Sequence, residues 1–129
     1  MVRLAYACVL TRDIARLAAF YRAVFQTEAQ WTGQYAEFPT SGGVFSLWSL
    51  DAYVDIAGAG AVPTLGSGGV MLEFEVPDVD AEFGRLQGLA EFKIEFIISP
   101  TTMPWGNRSI YFRDPDGNML NVFSHVRPS

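Results

Sequence analysis

The chain has 129 residues, of which 50% are hydrophobic and 14% aromatic, and its formal net charge is −5. This length and composition suffice for one compact domain with a hydrophobic core. Its nine basic residues form no cluster, which excludes the basic surface of a nucleic-acid binder. The single cysteine, Cys8, cannot form an internal disulfide. Since no secretion signal and no membrane-spanning stretch are present, we expect a cytoplasmic protein.

The beginning of the chain predicts a strand followed directly by a helix. Residues 4–10 form a short apolar, β-branched and aromatic run, and Asp13 then stands at a good N-cap position. Apolar residues recur at three- and four-residue steps after this cap, at Ile14, Leu17, Tyr21 and Val24. This spacing is typical of a helix that packs one face on a sheet.

Two further strands are predicted at residues 34–38 and 44–49, with a turn at Gly42 and Gly43 between them. After these strands the composition shifts to Gly, Ala, Ser and Pro with little periodicity, which indicates a linker. We therefore predict a single domain, residues 1–129, with a first module at about 1–51, a linker at about 52–69 and a second module at about 70–125.

The second half of the chain predicts the same kinds of element. Residues 70–76 alternate as a strand, and Asp78 caps a second helix. The apolar face of this helix is formed by Val79, Phe83 and Leu86. Three strands complete the module, at residues 92–98, 109–112 and 119–124, with an Asp-Pro-Asp-Gly turn at 114–117.

The two halves also match each other in sequence. Residues 6–14 are similar to residues 71–79, and residues 46–49 are similar to residues 121–124. A two-copy repeat of about 60 residues indicates pseudo-symmetric halves rather than a solenoid. The chain is therefore predicted to contain two βαβββ modules.

This arrangement resembles the vicinal oxygen chelate superfamily, which includes glyoxalases, bleomycin-resistance proteins and extradiol dioxygenases. The similarity lies in the helix motif at residues 13–21, in Trp-Gly-Asn-Arg at 105–108 and in residues 111–118. It covers nearly the whole chain and implies an α+β fold in which the curved sheets of two βαβββ modules form a cup. It also implies a homodimer, and two-fold dimers are the commonest oligomers.

The resemblance assigns the metal-ligand positions of the family to four residues of this chain: Tyr6, Ser46, Met71 and Asn121. A phenol, a hydroxyl, a thioether and an amide are poor ligands for a divalent first-row metal. We therefore expect no cofactor, disfavour a divalent metal, and leave open whether the protein is an enzyme. The only histidine, His125, follows the last strand and is predicted to be a surface residue.

Strand alternation predicts which side chains of residues 70–76 face the cup. Val70, Leu72, Phe74 and Val76 must face the helix, so Met71, Glu73 and Glu75 point to the other side. We predict that Glu73 contacts a ligand, whereas Glu75, nearer the strand end, is solvated. A carboxylate inside the cup of an acidic protein favours a cationic or hydroxyl-rich ligand.

Aromatic and cationic residues near the C-terminal end add to this predicted site. Family counterparts of Tyr111 face the cup, and Trp105 lies in a loop that resembles the cup rim, where an aromatic side chain can close over a ligand. Arg108 either binds an anionic group or pairs with Glu73 or another carboxylate. Trp48 is predicted to pack in the core or in a dimer interface. Cys8 is predicted to lie in a buried strand and not to be a nucleophile.

Three hypotheses about function follow. The first is a metal-free small-molecule-binding protein that resembles the bleomycin-resistance proteins of antibiotic resistance and sequesters an aromatic, cationic or polar compound. The second is a glyoxalase- or dioxygenase-type enzyme, a lyase, isomerase or dioxygenase, with a relocated metal or with metal-free acid–base chemistry. The third is an interaction module with a vestigial cup. Under the first hypothesis the ligand-binding residues are Tyr6, Ser46, Met71, Glu73, Trp105, Arg108, Tyr111 and Asn121.

Overall fold

The computed structural model describes residues 1, 3–61 and 69–126. The chain divides into two compact units, Met1–Leu65 and Gly66–Ser129. Each unit contains a four-stranded mixed sheet with a helix in the connection between its two parallel strands. The predicted fold of two βαβββ modules is confirmed.

The first unit follows the predicted order and adds elements that the sequence pattern did not reveal. Its elements are β1 (Tyr6–Thr11), α1 (Ile14–Phe25), β2 (Gln30–Thr32), β3 (Tyr35–Pro39), β4 (Val44–Ser49), α2 (Leu50–Ala57) and a 3₁₀ turn (Ala59–Ala61). The strand order is β1-β4-β3-β2, with β1 parallel to β4 and the other pairs antiparallel. As predicted, Asp13 caps α1, since its carboxylate accepts a hydrogen bond from the Arg16 amide at 3.1 Å.

The core of the first unit lies between α1 and one face of its sheet. The Tyr21 side chain is fully buried, with ring centroids 5.4 Å from Phe25 and 4.6 Å from Phe45. Phe38 and Leu47 are also fully buried on the helix-facing side of the sheet. We call the other side of this sheet the first open face. It presents Tyr6, Cys8 and Leu10 of β1, Tyr35 and Glu37 of β3, and Val44, Ser46 and Trp48 of β4.

The second unit repeats this plan. Its elements are β5 (Met71–Glu75), α3 (Val79–Gln87), a 3₁₀ turn (Ala90–Phe92), β6 (Phe96–Thr102), β7 (Asn107–Arg113) and β8 (Met119–His125). The strand order is β5-β8-β7-β6. The Asp78 carboxylate caps α3 by accepting hydrogen bonds from the amides of Asp80 and Ala81. The strand predicted at residues 92–98 begins at Phe96, because a 3₁₀ turn and the left-handed Lys93 precede it.

The core of the second unit is formed by α3 and the helix-facing side of its sheet. Val79 and Leu86 of α3 are buried as predicted, whereas Phe83 is half-buried and packs edge-on against Phe96 at 4.7 Å. The predicted alternation of β5 is confirmed from residue 71 onward, but Val70 precedes the strand and is 71% exposed. We call the side away from α3 the second open face. It presents Met71, Glu73 and Glu75 of β5, Asn107, Ser109, Tyr111 and Arg113 of β7, and Met119, Asn121, Phe123 and His125 of β8.

The segment predicted as a linker begins with the helix α2, which the sequence pattern did not predict. Residues 62–68 of that linker lie outside the described part of the chain. Tyr53 of α2 packs edge-on against Trp48 at a centroid distance of 5.3 Å, so α2 contributes an aromatic ring next to the first open face. None of the helices within residues 1, 3–61 and 69–126 is long and apolar enough to span a membrane.

Candidate functional site

The second open face carries a row of three polar side chains across adjacent strands. The strand register places Glu73 opposite Asn121, and Asn121 opposite Tyr111. Asn121 Nδ2 donates a hydrogen bond to Glu73 Oε1 at 2.9 Å. A carboxylate can only accept hydrogen bonds, so this contact fixes the orientation of the Asn121 amide. Its carbonyl oxygen, Oδ1, is therefore left for another donor.

Two buried oxygen atoms on this face have no hydrogen-bond partner among the described residues. They are Asn121 Oδ1 and Ser109 Oγ, in residues that are 4% and 0% exposed. A buried polar atom without a partner costs about 1–3 kcal/mol. A donor that reached Asn121 Oδ1 would remove this cost.

Met71 and Tyr111 provide apolar surface beside the polar row. Met71 is 39% exposed at the start of β5, and Tyr111 is half-buried. Glu75 is exposed at the far end of β5, as predicted, and its Oε2 lies 3.4 Å from Nε2 of His125. His125 is exposed, which confirms the prediction of a surface residue, and its Nδ1 lies 3.0 Å from Asn107 Oδ1.

Arg108 was predicted to be a ligand-binding residue that either binds an anionic group or pairs with a carboxylate, and the structure shows such a pair. It alternates with Tyr111 along β7 and shares the helix-facing side with the buried Ile110. Its guanidinium donates hydrogen bonds to both carboxylate oxygens of Asp80, at 2.8 and 3.0 Å. Of the two roles that the sequence left open, the structure therefore favours pairing with a carboxylate, and the partner is Asp80 rather than Glu73.

Trp105 lies at the tip of the hairpin between β6 and β7. The Met103 amide donates to the Asn107 carbonyl at 2.7 Å, and the Gly106 amide donates to the Met103 carbonyl at 2.9 Å. Gly106 has φ +102°, a conformation that L side chains rarely adopt, so the turn requires glycine there. The Trp105 side chain is 67% exposed, and its closing over a ligand stays a prediction.

The first open face carries a comparable row, which the sequence analysis did not recognise. The register aligns Cys8 with Ser46, and Ser46 with Glu37. The Tyr35 hydroxyl donates a hydrogen bond to Glu37 Oε1 at 2.9 Å. Burial raises the pKa of Tyr35 above its ordinary value, the nearby Ser46 hydroxyl opposes this shift, and Glu37 adds to it. Ser46 is fully buried, and its Oγ makes no hydrogen bond of normal geometry with any described residue.

Cys8 and Tyr6 both present exposed side chains on the first open face. The prediction that Cys8 lies in a buried strand was wrong, because β1 is an edge strand and Cys8 points away from α1. Tyr6, two residues earlier on the same side, is 53% exposed. Of the predicted site residues, Tyr6 and Ser46 lie on the first open face, and Met71, Glu73, Tyr111 and Asn121 lie on the second.

The four positions that correspond to the metal ligands of the family do not fit a metal. Their side chains are a phenol, a hydroxyl, a thioether and an amide, and the amide of Asn121 is already hydrogen-bonded to Glu73. Elsewhere in the described ranges, no group of three or more His, Cys, Asp or Glu side chains is placed to hold a metal ion. The donor chemistry of these positions therefore departs from that of the family metalloenzymes.

The paired βαβββ modules define the class of protein, and a sequence comparison identifies the family. A profile of the Glyoxalase/Bleomycin resistance protein/Dioxygenase superfamily matches residues 3–122. The chain therefore belongs to this superfamily, as its resemblance implied. No curated protein matches the chain.

Several solved structures share this fold. One is a glyoxalase/bleomycin resistance protein/dioxygenase from Nocardioides, which is 24% identical to this chain with a TM-score of 0.78. The match covers 100% of this chain and 87% of the Nocardioides chain. A family enzyme from Burkholderia phytofirmans PsJN is 21% identical with a TM-score of 0.81, covering 97% and 100%. A lactoylglutathione lyase from Agrobacterium tumefaciens is 27% identical with a TM-score of 0.70, covering 94% and 92%. These similarities support the fold and assign no activity to this chain.

Proposed function

We propose that this protein is a metal-free small-molecule-binding protein, similar in mode of action to bleomycin-resistance proteins, that takes up a flat cationic compound. The observation that carries the proposal is the buried, unpartnered Asn121 Oδ1 beside the Glu73 carboxylate. Both groups accept hydrogen bonds, so the best complement is a ligand with several N–H donors and a positive charge.

The negative charge of Glu73 next to Asn121 supports a cation at this position. Glu73 accepts one hydrogen bond from Asn121, which leaves its other carboxylate oxygen for a further donor. No Lys, Arg or His side chain in the described ranges forms an ion pair with Glu73. The overall charge of −5 adds a long-range attraction for cations.

The apolar surface around this row supports a flat ring system. Tyr111 and Phe123 are half-buried on the same face, and Met71 is partly exposed beside them. Aromatic rings contribute about 0.5–1.5 kcal/mol each by stacking, beyond the area that they bury. The flexible side chain of Met71 can adapt its conformation to such a ligand. Small-molecule sites typically combine mostly apolar walls with a small number of polar groups.

The alternative of a metal-dependent lyase, isomerase or dioxygenase requires a relocated metal site. The donor sets on the two open faces do not offer one within the described residues. Acid–base chemistry by Glu73 without a metal would use the same carboxylate as the binding proposal. Turnover of a bound compound by chelator-treated protein, lost in Glu73→Gln, would support that alternative over binding alone.

The proposal is tested with a matched pair of ligands and a matched pair of variants. Tryptamine carries a protonated amine on an indole, and tryptophol replaces this amine with a neutral hydroxyl. Calorimetry should show that tryptamine binds and that Glu73→Gln weakens it roughly tenfold or more, since a hydrogen bond to a charged group contributes about 1.5–3 kcal/mol. Glu75→Gln, on the same face of the same strand, should leave the affinity nearly unchanged. Equal affinity for wild type and Glu73→Gln would refute the assignment.

A further inference from the structure

We propose that the chain forms a two-fold dimer through the free edge of β2, with Trp31 of each copy at the centre of the contact. The partner is a second copy of this chain, and the sheets of the two first units join edge to edge. This inference does not depend on the proposed function, because it uses neither open face.

The strand β2 has one edge that no other strand covers. It lies at the end of the strand order β1-β4-β3-β2, and all residues of Gln30–Thr32 are exposed. Among the described residues, β3 is its only partner strand. Such an edge presents unpaired amide and carbonyl groups that can bind a strand of another chain.

The register of the hairpin between β2 and β3 shows which backbone groups point outward. Thr32 pairs with Tyr35 across the two-residue turn at 33–34, and a turn of this length joins the two residues by a backbone hydrogen bond. Hydrogen-bonded and non-hydrogen-bonded pairs alternate in an antiparallel ladder, so the amide and carbonyl of Trp31, paired with Ala36, point away from β3. A second Trp31, placed opposite across a two-fold axis, exchanges two hydrogen bonds with these groups.

The Trp31 side chain adds apolar area to this edge. It points to the same side of the sheet as the fully buried Ala36, yet it is 50% exposed. Beside the ring lies a groove of about 240 Å³, lined in part by Ala15, Ala18 and Ala19 of α1. This volume is below the roughly 300–1,000 Å³ of small-molecule sites, so the groove suits one side chain of a protein partner. In the two-fold dimer the two Trp31 rings are cross-strand neighbours and cover part of each other's surface.

The charges at this groove are self-complementary. Arg22 and Glu28 both line the groove, and Arg22 Nε lies 2.6 Å from Glu28 Oε1 within the same chain. Their side chains are 63% and 76% exposed, so both can also reach a neighbouring molecule. A two-fold contact needs a surface that complements itself, and one basic with one acidic group meets this need. A partner of a single charge sign would be attracted by one group and repelled by the other.

The equivalent edge of the second unit is protected against such pairing. The strand β6 ends the order β5-β8-β7-β6, as β2 ends the order of the first unit. It contains Pro100 and has register shifts on both sides of Ile98, and these features hinder the addition of another strand. The strand β2 contains neither a proline nor a lysine. Of these two equivalent edges, the β2 edge is therefore the one suited to a second copy.

Analytical ultracentrifugation of the full chain measures the mass of the assembly and tests this interface. Because β2 is only 3 residues long, most of the affinity should come from Trp31, and a lysine there would place two like charges opposite each other. Trp31→Lys should therefore halve the mass of the wild-type assembly. The matched control is Trp105→Lys, which places the same charge at an exposed tryptophan of the second unit and should leave the mass unchanged. Thermal unfolding verifies that both variants are folded.

A pair of charge reversals distinguishes a second copy from any other partner. Arg22→Glu leaves two acidic groups at the groove and Glu28→Arg leaves two basic groups, so each variant alone should associate more weakly than wild type. Mixing equal amounts of the two variants should restore association, because opposite charges then face each other across the contact. Wild-type protein that stays monomeric at every concentration would overturn the proposal. So would an assembly whose mass Trp31→Lys leaves unchanged, or variants that associate no better when mixed than apart.

Discussion

The two open faces have the same strand positions but different chemistry. In both units the last strand contributes a buried polar residue to the middle of the row, Ser46 in the first and Asn121 in the second. In the second unit the carboxylate beside it comes from the first strand, as Glu73. In the first unit the corresponding residue of the first strand is Cys8, and the carboxylate comes from the third strand, as Glu37.

This difference shows which properties the duplicated fold determines. The strand register determines where three side chains meet on each face, because paired residues of adjacent strands point to the same side. The residue types then determine what can bind there, and neither row retains a set of good metal ligands. Each row keeps a carboxylate and an unsatisfied buried atom, which makes both of them candidates for donor-bearing ligands.

The largest expected effects test whether the two units depend equally on their cores. Phe38 and Phe112 are fully buried on the helix-facing sides of the two sheets. Truncating either residue to Ala should cost about 3–5 kcal/mol of unfolding free energy in urea denaturation, from lost burial and a residual cavity. Trp105→Ala, an exposed aromatic truncation, is the control and should change stability by less than about 0.5 kcal/mol. If truncating Phe38 or Phe112 lowered the unfolding free energy no more than Trp105→Ala does, the two units would not depend equally on their cores.

The turns that precede the last strands should differ in their contribution to stability. Asp114, which is 4% exposed, accepts hydrogen bonds from the Asp116 and Asn118 amides and from Asn118 Nδ2. In the first unit the exposed Thr40 hydroxyl accepts from the amides of Gly42 and Gly43. Hydrogen bonds to a charged group are the stronger ones, about 1.5–3 kcal/mol.

Asp114→Ala should therefore lower the unfolding free energy by at least about 1.5 kcal/mol, and Thr40→Ala by about 0.5–1.5 kcal/mol, both measured by urea denaturation. Each variant leaves the turn of the other unit unchanged, and that turn serves as the internal control. A larger loss for Thr40→Ala than for Asp114→Ala would contradict the assigned roles of the two turns.

The raised pKa of Tyr35 provides a titration test of the first open face. Glu37→Gln should lower this pKa, because it removes a neighbouring negative charge, and Ser46→Ala should raise it further. Ultraviolet absorbance of the phenolate measures both changes after subtraction of a Tyr35→Phe spectrum. A raised folded-state pKa means that the stability from the protonated phenol is present below pH 10 and is lost as pH rises through the folded value. Shifts of the opposite sign would contradict the geometry of this row.

The smallest expected effect concerns the exposed ion pair between Asp80 and Arg108. The hydrogen bonds of Arg108 hold the pKa of Asp80 below its ordinary value. The stability that this pair contributes is therefore present above the ordinary carboxylate pKa and is lost as pH falls through the depressed one. Asp80→Asn should lower the melting temperature slightly at neutral pH, and the difference should vanish in strong acid. The control is Asp80→Asn in an Arg108→Gln background, where it should lower the melting temperature less. An equal decrease in both backgrounds would show that the ion pair does not contribute to stability.

Much of the fold could be predicted because its elements have clear periodicity. Asp13 and Asp78 were recognised as caps because a good N-cap residue stands directly before each helical pattern. The strand β2 was missed, since its residues Gln30–Thr32 are all exposed and show no alternation. The helix α2 was missed because no residue in it is fully buried and the segment that follows is rich in Gly and Ala.

The candidate site could be predicted only in part. Alternation placed Glu73 on the open side of β5, and the repeat placed Asn121 at the matching position of β8. The side on which Arg108 lies could be predicted, because Arg108 is two residues before Ile110 and therefore lies on the same side of the strand. Its partner Asp80 could not be predicted in this way. Glu37 was missed because joining it to Ser46 requires the register of strands β3 and β4, which no sequence pattern gives. The homodimer and the cytoplasmic location stay predictions.

The measurement that tests the central claim most directly is a calorimetric titration of chelator-treated protein with tryptamine, with tryptophol as the neutral control. Binding of tryptamine without added metal, together with much weaker binding of tryptophol, is the result that we predict. Binding that is absent after chelation and returns only when a divalent ion is added would contradict the account, because it would place a metal at the centre of the site.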